Sequence, residues 1–498
     1  MKKKILVVAT AVLMVGLVAV TSFIVFNQPE QKPFYVGVTY GGSSIQEAKE
    51  LVDRVKDYTN LFVLQSGHLQ ADPYAMEEIG DYVVASNLCY AVGSSTGESL
   101  GLSRQQLSSW LIEAKQRWGE HFIGIYYNDE PGGKMLDGVG LTLKREAQID
   151  ETTRMSLRKM DRSITVQTMD KVEHNSSSEY TDLQVLFLSD ATTTITTTYG
   201  ANGEISRVTS GADLKGHYTE YINYYPNGTI TIEEMTAAGY KLYTPENIPK
   251  YTRSILPYEE LLEQNPIQNY DDASDTFVGM QKELLEDMDK KLLNEKDLLI
   301  FTADYGLYWW DYNGGYDVVL AELAWNHSVA QHIGLVRGAA NLQGRSWGAI
   351  LTWKYTHPPF LADGEEMFEH MKISYETGAE YVLIFNYSED PTNPNTLQEE
   401  HFQALKRFWN EVVQNPDVVQ GGIEVEAVLV LPKNYGWGMR DPRDNIWGLW
   451  SADDIAQEVW NQLQSKISQH GLKLDIVFED PNHSITGKYP NTYYWNQK

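Results

Sequence analysis

Near-continuous apolar runs alternate with amphipathic stretches in the first part of this chain. The apolar runs predict strands at 34–42, 61–67, 88–95 and 122–127, and helical spacing of apolar residues predicts helices at 44–58, 73–86 and 103–119. Strands that are apolar along their whole length are typical of a parallel sheet that helices cover on its outer face.

The alternation stops between about Met135 and Asn265, where the sequence becomes polar and rich in Thr, Tyr, Ser and Asn. A strand is predicted at 184–189, and hairpins are predicted at 193–207 and 217–234, each with an Asn-Gly turn. We therefore expect a β-rich insertion over 135–265. It either roofs a site at the end of the sheet or serves as a spacer or a partner-docking module.

Strands and helices alternate again beyond the insertion. Strands are predicted at 297–304, 317–323, 347–355 and 380–387, with helices at 275–293, from Asn326 or Ser328 to 342, 364–377 and 397–413, and an aromatic loop at 305–316. Eight strand–helix units predict a (β/α)8 barrel, with strands one to four in 34–134 and strands five to eight in 266–415. Residues 416–498 repeat the pattern on a small scale, with strands at 425–431 and 473–478 around a helix at 452–470, and predict a small C-terminal α/β domain.

The charge and cysteine content narrow the range of partners. The net charge of −28 argues against nucleic acid, because phosphate binding requires clustered Lys and Arg. Cys89 is the only cysteine, so neither an internal disulfide nor a cysteine-based metal site can form. The histidines lack the spacing of metal-binding motifs, and we expect neither a metal nor another cofactor.

The N-terminus predicts the location of the protein. Three lysines precede an uncharged run from Ile5 to Phe26, which is about long enough to cross a bilayer. We expect a membrane anchor and linker over 1–33, with the remainder of the chain outside the cell membrane. The alternative is a cleaved signal peptide and secretion.

Strand four ends in Asn128-Asp129-Glu130-Pro131, followed by two glycines. Barrel enzymes place their catalytic groups at the C-terminal ends of the strands, although the same residues also suit a surface turn. Alternation places Gly124, Tyr126, Asn128 and Glu130 on one face, which is predicted to be the inner one.

The same alternation, applied to the other strands, predicts which polar side chains point into the barrel. Thr302 and Asp304 are expected inside on strand five, and Thr352 and Lys354 on strand seven. Glu322, near the end of strand six, is either a site residue or held by Lys354 in a structural ion pair. Lys354 is expected to pair with Glu322 or Asp304, and a Schiff-base role for it is less favoured.

The ending of strand four resembles the Asn-Glu-Pro ending of clan A glycoside hydrolases. The resemblance implies that Glu130 is the general acid/base and that Asn128 contacts a sugar hydroxyl. Asp129 is an addition to that motif. The family's nucleophile position, at the end of strand seven, reads Thr352–Tyr355 here and contains no carboxylate.

Glycoside hydrolysis needs two carboxyl groups that flank the scissile bond. We expect Glu130 to act as the acid and Glu322 as the nucleophile or base, with Asp304 in reserve for the second role. Side chains near the strand ends are expected to bind the sugar through aromatic rings (Tyr40, Tyr126, Tyr308, Trp309, Trp310, Trp325 and Trp353) and through polar groups (Gln65, Asn128, Lys354 and Asn386).

These features predict an extracytoplasmic glycoside hydrolase-like enzyme that acts on oligo- or polysaccharides of the cell surface or the surroundings. The alternative is a non-catalytic glycan-binding or cell-envelope protein on the same barrel. Such a protein would keep the aromatic residues and lack a working carboxyl pair.

Overall fold

A computed structural model describes residues 33–94, 104–136, 267–325, 327–355, 357–387, 395–450 and 452–496, together with the backbone of seven strands between 165 and 243. The predicted anchor from Ile5 to Phe26 lies outside these residues. Within the described part, no helix is both long enough and apolar enough to cross a bilayer.

The first half of the barrel follows the predicted order closely. The strands are β1 (Tyr35–Tyr40), β2 (Leu61–Leu64), β3 (Cys89–Ser94) and β4 (Phe122–Tyr127), and the helices are α1 (Ile45–Val55), α2 (Pro73–Ala85), α3 (Arg104–Trp118) and the short α4 (Pro131–Leu136). Short 3₁₀ helices occur at Leu69–Ala71 and Gly119–His121. Ser44 and Asp72 cap α1 and α2 by accepting hydrogen bonds from backbone N–H groups of the first turn, which fixes where these helices begin.

Seven strands between β4 and the second half of the barrel form an antiparallel sheet in which each strand pairs with the next. They are β5 (Thr165–Glu173), β6 (Tyr180–Leu188), β7 (Ala191–Tyr199), β8 (Ile205–Asp213), β9 (Gly216–Tyr224), β10 (Ile230–Thr236) and β11 (Gly239–Tyr243). The two predicted hairpins are confirmed as β7–β8 and β9–β10, whose last and first residues pair as Tyr199 with Ile205 and Tyr224 with Ile230. Their Asn-Gly turns lie outside the described residues.

The second half of the barrel contributes four more strands. They are β12 (Leu299–Asp304), β13 (Val318–Leu323), β14 (Ser346–Leu351) and β15 (Tyr381–Ile384). The accompanying helices are α5 (Tyr270–Glu286), α6 (Lys290–Glu295), α7 (Tyr308–Gly314), α8 (Val329–Gln343), α9 (Gly364–Glu376) and α10 (Glu399–Phe408), which continues as a π-helical turn at Trp409–Val413. The predicted helix 275–293 is interrupted at Asp289, whose backbone is left-handed (φ 52°).

The eight parallel strands close into a barrel in the order β1-β15-β14-β13-β12-β4-β3-β2. The predicted (β/α)8 barrel with a β-rich insertion after strand four is therefore confirmed. Gly124 in β4 allows close approach of β12, because a Cβ atom there would lie 2.0 Å from the carbonyl oxygen of Leu299 and its φ is +147°.

A three-stranded parallel sheet follows the barrel, in the order β17-β16-β18. Its strands are β16 (Ala427–Leu431), β17 (Leu474–Phe478) and β18 (Asn491–Tyr494), and they accompany α11 (Ala456–His470) and a 3₁₀ helix at Gly471–Lys473. Helix α8 packs directly on β17, since a Cβ atom on Gly334 or Gly338 would lie 2.8 Å from a backbone oxygen of that strand. The predicted small α/β region is confirmed, and β18 is an addition to the expected strands.

Candidate active site

Contacts across the barrel establish which side chains of β12 point inward. The rings of Phe301 and Tyr381 are 5.0 Å apart, although their strands are not neighbours, so both side chains lie inside the barrel. Thr302 and Asp304 alternate with Phe301 and therefore point to the outer side. The expectation that these two residues face the barrel interior was wrong, because the large apolar side chain takes the inner position.

The strand register also identifies the inner positions at the ends of β4 and β13. Tyr126 lies opposite Phe301, and Leu320 lies opposite Ala303, the next inward residue of β12. Glu322 shares the face of Leu320, so its carboxyl group points into the mouth of the barrel, where it is only 4% exposed.

Glu130 is placed by an unusual turn that follows β4. Asn128 and Glu130 both have left-handed backbones, with φ of 57° and 48°, and the N–H of Glu130 donates to the carbonyl of Ala303, 3.0 Å away. Each such residue costs about 1–2 kcal/mol, so surrounding contacts must hold the turn in place. Pro131 then begins α4, and the half-buried Glu130 side chain lies at the mouth.

The carboxyl groups of Glu130 and Glu322 lie near enough to each other at the barrel mouth to alter each other's pKa. Burial, and next the charge of Asp129, raise the pKa of Glu130 to about 7, against the opposing effect of Glu322. Burial, and next the charge of Glu130, raise the pKa of Glu322 well above its ordinary range. Two neighbouring carboxyl groups cannot both ionise easily, so the pair retains one proton near neutral pH.

Asp129 is the third carboxyl group in this part of the barrel mouth. The hydroxyl of Tyr126 donates a hydrogen bond to it, and the pKa of Asp129 is raised mainly by burial. Lys134 donates to the backbone carbonyl of Asp129 and, at 3.4 Å, to the side-chain oxygen of Asn128. The position of Asp129 beside Glu130 and Glu322 makes it an electrostatic neighbour of both glutamates.

Asp304 occupies a separate buried site between the barrel and the helices. Its carboxyl group accepts hydrogen bonds from the N–H groups of Gly132, Tyr305 and Gly306, at 2.5, 2.7 and 3.1 Å. Asp311 in α7 is its buried electrostatic neighbour, and no residue of the described ranges donates a hydrogen bond to the Asp311 carboxyl group. Burial raises the pKa of Asp304 to about 6 against these hydrogen bonds, and burial together with the Asp304 charge raises the pKa of Asp311 well above its ordinary range.

Several predicted sugar contacts are instead bonded within the protein. Asn128 donates to Gln281 in α5 at 2.9 Å, because its left-handed backbone breaks the alternation expected of a strand. Tyr40 points outward and donates to the carbonyl oxygen of Ser44, 2.9 Å away. The side-chain oxygen of Asn386 accepts a hydrogen bond from the N–H of Thr396 at 2.8 Å, and this bond holds Thr396 against the end of β15.

The predicted aromatic loop 305–316 contains helix α7, and this places its tryptophans away from the mouth. The Trp310 ring lies 4.5 Å from Phe478 in β17 and 4.7 Å from Trp447, and it is fully buried. Trp309 packs on Phe478 and His483. Both residues, and also Tyr308, whose hydroxyl bonds to His332 at 2.7 Å, belong to the packing between the barrel and the C-terminal sheet.

Other aromatic side chains do remain exposed where β13, β14 and β15 end. Trp325, Tyr355 and Tyr387 are 40%, 44% and 37% exposed. The rings of Trp353 and Tyr387 are nearly parallel (7°), with centroids 6.5 Å apart, and the indole N–H of Trp353 donates to the Tyr387 carbonyl at 2.9 Å. We call Trp325, Trp353, Tyr355 and Tyr387 the aromatic rim. Tyr355 and Tyr387 are each the last residue of a predicted strand, which was the available signal for them.

Two predicted polar contacts have different surroundings. Gln65 follows β2 beside Gly93, and its side-chain oxygen is buried with no hydrogen bond to a described residue. Lys354 pairs with Glu366 at 2.5 Å, not with Glu322 or Asp304 as expected, because the chain turns toward α9 after β14. Among the described residues, no group of His, Cys, Asp or Glu side chains is arranged to hold a metal ion.

Comparisons with known proteins give no further information about this site. No family model matches the chain, and no curated protein matches it. Among solved structures, it is similar to Cryptosporidium parvum pyruvate kinase in complex with ADP, with 9% identity over 82% of this chain and 78% of that one, at a TM-score of 0.25. A superposition of this quality supports no argument about the site. The closed ring of parallel strands defines the class, and the chain is a (β/α)8 barrel protein.

Proposed function

We propose that this protein is a glycoside hydrolase-like enzyme that uses Glu130 and Glu322 at the mouth of its barrel. The observation that carries the proposal is the position of these two carboxyl groups, one buried and one half-buried at the barrel mouth, near enough for the charge of Glu130 to raise the pKa of Glu322. One protonated and one ionised carboxyl group is the state that glycoside hydrolysis requires.

The closeness of the two groups favours a retaining mechanism. Retaining enzymes place their two carboxyl groups roughly 5–5.5 Å apart, closer than the roughly 6.5–9.5 Å that inverting enzymes use to admit a water molecule. We assign Glu130, the more exposed group, as the acid/base and Glu322, inside the barrel, as the nucleophile. Because its pKa is raised well above the ordinary range, Glu322 is protonated in the unliganded protein, so substrate binding must leave Glu322 ionised and Glu130 protonated.

The aromatic rim supports a carbohydrate as the substrate. Its rings are exposed at the ends of β13, β14 and β15, and β13 also carries Glu322. Flat apolar rings bind the C–H faces of sugars, while the polar edges of a cleft bind their hydroxyl groups. Gln65, with its buried unsatisfied oxygen, is the polar side chain that we assign to a sugar hydroxyl.

A panel of oligo- and polysaccharides assayed for released reducing ends tests the proposal. We expect Glu130→Gln and Glu322→Gln each to lower turnover by at least about a hundredfold, because each removes one required ionisation state. The exposed Glu295→Gln is the matched control and should retain full activity. Unchanged hydrolysis in either site variant would overturn the assignment of that residue.

The second candidate is a non-catalytic glycan-binding protein on an anchored barrel. It is favoured by the internal bonding of Asn128, Tyr40 and Asn386, which leaves few polar side chains for a transition state. Glycan binding by the wild-type protein, lost on Trp353→Ala and without hydrolysis of any bound glycan, would support this alternative over the enzyme.

A further inference from the structure

A cavity of about 250 Å³ lies between the ends of β13 and β14 and helix α9, away from the carboxyl pair. Its walls come from these elements and the segment that connects β14 to α9. The lining residues are Leu323, Ala324, His327, Val329, Leu351, Thr352, Lys354, Leu361, Ala362, Glu366, Met367 and His370. Neither Glu130 nor Glu322 contributes to it, so it is a separate site from the proposed catalytic one.

Most of the cavity wall is apolar and firmly packed. Leu323, Leu351, Leu361 and Met367 are buried in the surrounding structure. Their aliphatic side chains provide a surface for C–H groups. The volume is below the range of about 300–1,000 Å³ that is usual for drug-sized ligands, so the occupant is about the size of a single ring.

The polar groups in the cavity include both donors and acceptors, and their charges balance. Lys354 and Glu366 form an ion pair at 2.5 Å. Burial lowers the pKa of His370, which keeps its imidazole neutral near neutral pH. The hydroxyl oxygen of Thr352 is buried and makes no hydrogen bond with any residue in the described ranges.

These features select among classes of ligand. A charged ligand would have to separate Lys354 from Glu366, because each charge already has its partner. A purely apolar ligand would leave the Thr352 hydroxyl without a hydrogen bond and would remove water from the ion pair. A ligand with hydroxyl groups can bond all of these groups at once while its C–H groups contact the leucines.

We propose that this cavity binds a neutral polyhydroxylated molecule of about one sugar ring. The Thr352 hydroxyl and the Lys354–Glu366 pair bind its hydroxyl groups, and Leu323, Leu351 and Met367 pack on its carbon skeleton. This site stands independently of the proposed glycosidase activity, since none of its residues belongs to the carboxyl pair.

The test is a calorimetric titration of the full chain with D-glucose, D-galactose, D-mannose and myo-inositol, and with acetate and ethylamine as charged probes. We expect saturable binding of at least one neutral polyol and of neither charged probe. Thr352→Val keeps the shape of the side chain and removes the hydroxyl, and should weaken binding about threefold to tenfold. Ala362→Leu should abolish it by filling the cavity.

Two controls separate this site from the barrel mouth and from misfolding. Glu130→Gln should bind the polyol as the wild type does, and both cavity variants should unfold at a urea concentration close to that of the wild type. Absence of saturable polyol binding, preference for a charged probe, or binding that only Glu130→Gln removes would overturn the proposal.

Discussion

The buried pair of Asp304 and Asp311 makes the stability of this protein fall as the pH rises. Neither carboxyl group ionises readily in the folded state, since both have raised pKa values, about 6 for Asp304 and well above the ordinary range for Asp311. In the unfolded chain both ionise near 3.8. Between these values the folded protein holds more protons than the unfolded one, so each unit of pH lowers the free energy of unfolding.

Asp311→Asn removes the contribution of one of these two carboxyl groups to the pH dependence of stability. Asparagine has nearly the same shape as aspartate, but it does not titrate. Each buried group that stays protonated lowers the free energy of unfolding by about 1.4 kcal/mol for each unit that the pH rises. Between about pH 4 and about pH 6, the wild type should therefore lose about 3 kcal/mol more of this free energy than the variant does.

Urea unfolding of wild type and variant at several pH values measures this difference directly. Titrating groups distant from Asp304 and Asp311 are common to both proteins and cancel in the comparison. The exposed Asp417→Asn is the control and should leave the pH dependence unchanged. Parallel stability curves for wild type and Asp311→Asn would refute this account of the pair.

Two further predictions concern the carboxyl site and the C-terminal sheet. Asp129→Asn removes a charge that raises the pKa of Glu130, so we expect that pKa to fall by about one unit and the alkaline limb of the activity profile to move to lower pH; an unmoved limb would refute this influence. Arg337→Met leaves the fully buried Asp475 without its ion-pair partner at 2.7 Å, and should cost about 3–5 kcal/mol in urea unfolding. A cost close to zero would show that Asp475 is not held by this pair.

The barrel could be predicted from the sequence because its strands are continuous apolar runs. Alternation also placed Tyr126 on the inner face, where the strand register puts it, but it left the face of Glu322 open. Alternation gave the wrong face for Asp304, because the polar residues of the strand were expected to point into the barrel. The interior of this barrel is a packed apolar core, and Phe301 occupies it while backbone N–H groups satisfy Asp304 on the outer side.

The remaining errors arose from contacts between distant parts of the sequence and from local backbone geometry. Trp310 is covered by Phe478, a contact that no local pattern in the sequence indicates. The left-handed backbone at Asn128 turns its side chain toward Gln281, and neither a strand pattern nor a motif reveals that angle. The pairing of Lys354 with Glu366 depends likewise on how the chain turns after β14.

Titration of glutamate carboxyl groups by carbon-13 NMR tests most directly whether Glu130 and Glu322 share a proton. We predict one carboxyl resonance in the wild type that titrates near pH 7 and is absent from Glu130→Gln. A wild-type spectrum in which every glutamate titrates near its ordinary pKa of 4.5 would contradict the shared proton, and with it the proposed catalytic pair.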